Sequence, residues 1–82
     1  MDIGVELSLY PLNQQYIPPI QDFIDRLNLE RGLRVETNSM STQVFGDYEL
    51  VMRTLTRELR KTFESNDKAV FAMKVLGPLG TP

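Results

Sequence analysis

The chain has no cysteine and no histidine. The first absence removes disulfides, thiolate metal sites and cysteine nucleophiles together. The second removes the commonest general base and the commonest metal ligand. A carboxylate site for magnesium or calcium stays chemically open, but no run of Asp and Glu has the loop spacing for one. No metal and no required cofactor is therefore expected. A large charge excess is missing too: nine basic and eleven acidic residues leave a net charge of -2. Sequence-independent nucleic-acid binders draw most of their affinity from neutralising phosphates, so nucleic acid is not an expected partner. No stretch approaches the ~20 apolar residues of a membrane span. The start of the chain lacks a basic segment followed by a long apolar run, so a cytoplasmic protein is the default expectation.

What is present suits one small domain. At 82 residues with 41% apolar content, the chain is globular in composition rather than disordered. A domain of this size buries only about 60–65% of its unfolded surface, so its stability margin is thin. With disulfides and thiolate metal sites excluded, self-association is the expected reinforcement.

Residues Ile3 to Tyr10 alternate, with Ile3, Val5, Leu7 and Leu9 on one face and Glu6, Ser8 and Tyr10 on the other. Period two with β-branched residues predicts a half-buried strand, which Pro11 ends. Pro18 and Pro19 suit a first helical turn. Behind them Ile20, Phe23, Ile24 and Leu27 repeat at helical spacing, and Gly32 is placed to close the helix in a left-handed conformation. Leu33, Val35 and Thr37 alternate as a second strand, and Thr42 to Gly46 form a third after a tight turn at Ser39 to Ser41. Asp47 reads as the N-cap of a second helix whose apolar stripe is Val51, Met52, Leu55, Leu59 and Phe63. Ser65-Asn66-Asp67 ends that helix, and Ala69 to Leu76 is the last strand, with Phe71, Met73 and Val75 on its buried face. Residues 1–76 are thus expected to form the domain. Residues 77–82, with two Gly and two Pro, are expected to form a flexible tail.

This order is the split βαβ plan: an α+β fold with an antiparallel sheet in the order 4-1-3-2 and both helices on one face. The other face then shows Glu6, Ser8, Tyr10, Arg34, Glu36, Asn38, Gln43, Phe45, Val70, Ala72 and Lys74. A fully solvated antiparallel face is more uniformly polar. The mixture suits an oligomer interface, a ligand groove or both, although single exposed apolar residues are also common on solvated faces. Glu6 and Lys74 are expected cross-strand neighbours, as a surface ion pair or with Glu6 offering negative charge to a cationic ligand. Tyr10 and Phe45 suit either stacking on an aromatic ligand or packing in an interface. Ser8, Asn38, Ser41, Thr42 and Gln43 suit either turn and cross-strand pairing or the edge of an aminopyrimidine or amide.

Ser41-Thr42-Gln43-Val44-Phe45-Gly46-Asp47-Tyr48, with Thr37 to Met40 before it, resembles the signature region of the thiamine/hydroxymethylpyrimidine-binding protein family. Val5 to Leu12, Tyr16-Ile17-Pro18-Pro19 and Lys68 to Phe71 resemble the same family, so the likeness extends over nearly the whole chain. It implies a ferredoxin-like βαββαβ domain that pairs through open sheet faces, here as a homodimer or homotetramer. It also implies non-enzymatic binding of thiamine or its hydroxymethylpyrimidine half between paired domains. The pocket residues it implies are Ser8, Tyr10, Asn38, Met40, Ser41, Thr42 and Gln43; Glu6 and Phe45 join them from the open-face reading. Strict alternation turns Thr42 toward the helices, so it reaches a pocket only where the strand end twists. The competing expectation is a structural or regulatory homo-oligomeric domain with a different small ligand or none. An RNA-recognition domain needs a basic face with strand aromatics, and an acylphosphatase needs an arginine after strand one; the chain supplies neither.

Overall fold

The computed structural model describes residues 1–65 and 68–80. The elements follow in the order β1 (Asp2–Pro11), α1 (Ile17–Asn28), β2 (Arg34–Thr37), β3 (Thr42–Asp47), α2 (Tyr48–Ser65) and β4 (Ala69–Leu79). All strand pairs are antiparallel and the sheet order is β2-β3-β1-β4, which is the expected 4-1-3-2 order read from the other edge. The fold is therefore the ferredoxin-like βαββαβ domain. Among the described residues no helix is long and apolar enough to cross a membrane.

The core lies between the sheet and the helices. Ile3, Val5, Leu7 and Leu9 of β1, Val44 of β3, Phe23 and Leu27 of α1, and Val51 and Leu55 of α2 are buried together. Each large side chain removed from water in this way contributes roughly 1.5–3 kcal/mol before entropy is counted. Phe71 joins them partly buried, with its ring centroid 5.0 Å from Phe23 and 5.5 Å from Phe63. Asp47 caps α2, accepting a 3.2 Å hydrogen bond from the Glu49 N–H.

Three expectations change. Gly32 does not close α1 in a left-handed conformation, since Gly80 is the only described residue with positive φ. The helix ends instead in tight turns, with the N–H groups of Leu29 and Glu30 donating to the carbonyls of Arg26 and Leu27. Gly32 is required by space, because a Cβ there would run into the Leu50 side chain. The last strand does not stop at Leu76: it runs to Leu79 through Gly77 and Pro78, as an edge position allows. Of the expected flexible tail, Thr81 and Pro82 lie outside the described residues, as do Asn66 and Asp67 of the turn after α2. Met73 and Val75 sit on the helix side of the sheet as expected, yet they are exposed because the helices lie chiefly over β1, β2 and β3.

The buried face of α2 is also rotated from the expected stripe. Val51 and Leu55 are buried with Thr54, Glu58 and Thr62, whereas Phe63 is half exposed. Glu58 meets Arg26 across the helix pair at 2.6 Å, and Arg26 also donates to Thr62 Oγ1 at 2.7 Å and holds Asp22 at 3.0 Å. Arg57 donates to the second Glu58 oxygen at 2.7 Å, with Lys61 at 3.8 Å. Burial pushes the Glu58 carboxyl up, and the hydrogen bonds from Arg57 and Arg26 with the nearby Lys61 charge more than reverse it, so it stays below the usual carboxylate range.

A carboxyl with a lowered folded-state pKa stabilises the fold above its unfolded pKa and loses that contribution as pH falls through the folded value. Glu58→Gln is expected to cost about 1–3 kcal/mol near pH 7, as loss of charged hydrogen bonds does. The difference from the parent should shrink below the ordinary carboxylate range, which denaturant titrations at several pH values will check.

Candidate ligand-binding site

The two neighbours of β1 do not reach equally far. β4 pairs with it from Asp2 to Pro11, but β3 pairs only from Asp2 to Leu7, the latter opposite Thr42. In an antiparallel sheet alternate residues bond to opposite neighbours. Tyr48 N–H donates to the Met1 carbonyl at 2.8 Å, so the odd-numbered residues of β1 bond toward β3. Leu12 N–H donates to Lys68 at 3.0 Å, so the even-numbered ones bond toward β4. Leu9 therefore turns its N–H and C=O toward the side where β3 has already ended. Continued register would place Met40 opposite, but the Met40 N–H is committed to Asn38 Oδ1 at 2.8 Å. Among the described residues the Leu9 backbone pair has no partner on that side.

The space beyond it is a notch of about 250 Å³ between the end of β1, the β2–β3 turn and α1, with Leu9, Ile20, Phe23, Asn38, Met40 and Thr42 among its walls. It adjoins a groove of about 310 Å³ on the open face that reaches Glu6, Ser8, Tyr10, Met40, Ser41 and Lys74. The notch holds an apolar wall and the free backbone donor–acceptor pair, and the groove beside it holds the Glu6 carboxylate.

A chain of polar side chains borders it. Asn38 Oδ1 accepts from the N–H groups of Met40 and Ser41 at 2.8 and 3.2 Å, which shapes the turn. Asn38 Nδ2 donates to Gln43 Oε1 at 3.5 Å, and Gln43 Nε2 to Ser41 Oγ at 2.6 Å. Ser41 Oγ donates in turn to Glu6 Oε2 at 2.9 Å. Lys74 Nζ stands 3.9 Å from Glu6 Oε1, the expected cross-strand ion pair. The lysine side chain is 87% exposed and the contact is long, so it neutralises Glu6 only weakly.

Glu6, Ser8, Tyr10, Asn38, Met40, Ser41 and Thr42 all border the notch or its groove, and Gln43 is joined to them by hydrogen bonds. Thr42 faces the helix layer, where its hydroxyl lies 3.2 Å from Thr37 Oγ1, and it meets the notch from the core side. Phe45 does not join them. It lies opposite Gly4, six residues before Tyr10 in β1, or ~20 Å away along the strand. Tyr10 and Phe45 of one chain cannot both stack on one small ligand. Phe45 instead carries the Arg34 guanidinium 4.1 Å over its ring, and the missing side chain at Gly4 gives that ring room.

The Leu9 backbone pair was not a sequence candidate, because alternation marks Leu9 as a core residue. Its signal is the difference in length between the strand patterns of β1 and β3, which becomes readable only once register is known. Ile20, Phe23 and Ile24 of α1 likewise read as core positions and prove to wall the notch.

Asn38→Ala is expected to lower stability by about 1 kcal/mol by removing the turn's side-chain acceptor. The Met40 and Ser41 amides should then exchange faster with solvent while that of Val5 stays slow, as hydrogen–deuterium exchange will show.

No protein-family model matches the chain, and no curated protein sequence matches it at a significant level. Solved structures do. Protein SP2199 from Streptococcus pneumoniae is 22% identical with a TM-score of 0.86, over 99% of this chain and 89% of that one. Hypothetical protein MJ1052 from Methanocaldococcus jannascii is 20% identical with a TM-score of 0.82, over 99% and 84%. A protein from Thermotoga maritima named "putative thiamine biosynthesis/salvage protein" is 17% identical with a TM-score of 0.71, over 95% and 85%. At these identities the likeness is one of fold, and the chain stands with them as a small ferredoxin-like α+β domain.

Proposed function

We propose that this domain binds thiamine or its hydroxymethylpyrimidine moiety without catalysing a reaction, in a pocket completed when two copies pack through their open sheet faces. The observation that carries the reading is the unpaired Leu9 backbone edge in a notch whose neighbouring groove holds Glu6. An aminopyrimidine presents an amino donor beside a ring-nitrogen acceptor. Leu9 offers the complementary acceptor and donor, closely spaced as they are in a strand. The ring face would rest on Ile20 and Phe23. At about 250 Å³ the notch lies just below the ~300 Å³ where ligand pockets usually begin, room for one ring. The second ring of thiamine, a thiazolium cation, would extend into the adjoining groove toward Glu6. A partner domain over that groove excludes water and strengthens the attraction. The sequence resemblance and the thiamine-related name of one fold neighbour agree with this reading.

Calorimetry with both ligands tests it. Saturable heat is expected with each, and Glu6→Gln should weaken thiamine about tenfold, roughly 1.4 kcal/mol, while leaving the uncharged pyrimidine nearly unaffected. Absence of heat and of any thermal shift at millimolar ligand would contradict the proposal. The domain would then be a structural or regulatory homo-oligomer whose ligand, if any, has another chemistry.

A further inference from the structure

Among the described residues the outer edge of β4 has no paired strand. Even-numbered residues of β4 bond to β1, so Ala69, Phe71, Met73 and Val75 turn their backbone N–H and C=O groups away from the sheet. Natural proteins usually blunt such an edge with charges, a covering loop or a short strand. Among the described residues no loop covers β4 between Ala69 and Leu76, it is the longest strand in the sheet, and a single exposed charge, Lys74, is all that guards it. Apolar side chains stand exposed on both sides of the edge, Val70 (48%) and Leu76 (65%) on the open face and Met73 (42%) and Val75 (55%) on the helix side.

We infer that this edge pairs with the same edge of a second copy, antiparallel about a two-fold axis through Met73, joining two sheets into one. The register follows from the residues. Outward-bonding positions must meet each other, which allows two-fold axes at Ala72, Met73 or Lys74. An axis at Lys74 sets lysine against lysine, which is destabilising. An axis at Ala72 sets Val70 against Lys74 and leaves Leu76 facing Lys68. The Met73 axis opposes Met73 with itself, Phe71 with Val75, Val70 with Leu76 and Ala72 with Lys74. Val70, Met73, Val75 and Leu76 then each gain an apolar partner, and no like charges stand directly opposite each other. A foreign strand would find no carboxylate or side-chain amide on β4 to select it, whereas the copy is complementary by symmetry. The pairing runs in the plane of the sheet through backbone groups, whereas the groove opens on the sheet face and shares only Ala72, Met73 and Lys74 with it, so the pairing does not require a bound ligand.

The cysteine-free sequence makes the test clean. In the proposed register the two Met73 Cα atoms lie about 5.5 Å apart, within the ~4.4–6.8 Å range that a disulfide spans. Two Val75 positions are separated by four residues, or ~13 Å. Under mild oxidation at low micromolar concentration, Met73→Cys is expected to run as a covalent dimer on a non-reducing gel, and Val75→Cys to remain a monomer. Both positions are exposed, so neither change threatens folding. Failure of Met73→Cys to cross-link, or equal cross-linking by the two variants, overturns the inference.

Discussion

β1 pairs with β4 along nearly its whole length, whereas β3 accompanies it only from Asp2 to Leu7. Backbone hydrogen bonds are obligatory for buried strands, so each place where a neighbour stops must be filled by something else. At Leu9 the missing neighbour leaves a donor and an acceptor facing a recess. Along β4 the missing neighbour leaves a strand edge flanked by apolar side chains. The first comes from β3 ending before β1 does, the second from β4 lying at the rim of the sheet.

The helix layer is fixed differently. α1 and α2 are held by apolar contact at Phe23, Leu27, Val51 and Leu55 and by the Arg26–Glu58 pair, in which Arg57 and Lys61 supply the charge that keeps Glu58 ionised. A buried carboxylate with several cationic partners defines how the helices sit against each other more narrowly than aliphatic packing alone. That placement sets Ile20 and Phe23 as the back wall of the notch.

Much of this was legible before the structure. The period-two run from Ile3 to Tyr10, the helical spacing of Phe23 and Leu27, and the cap at Asp47 are local signals, and they defined the element order and the sheet order. Polar neighbours such as Asn38, Ser41 and Gln43 were legible as a group because they crowd one turn. The misses were of another kind. Glu58, Thr54 and Thr62 look solvent-facing because burial of a polar group depends on its partner, and Arg26 lies far away in sequence. Gly77 and Pro78 look like breakers, but an edge strand needs hydrogen bonds on one side only. Tyr10 and Phe45 share a face, yet register puts them at opposite ends of it. Leu9 was read correctly as core, and its free backbone pair was invisible because a strand pattern does not say where the neighbouring strand stops.

The central claim is that the Leu9 backbone edge is where the ligand docks. Amide exchange at that position, followed by NMR with and without hydroxymethylpyrimidine, tests it most directly. The account predicts that the Leu9 amide exchanges faster than those of Val5 and Leu7 in the ligand-free protein, and slows at least about tenfold at saturation. A Leu9 amide that is already protected without ligand, or unchanged by it, would contradict the account.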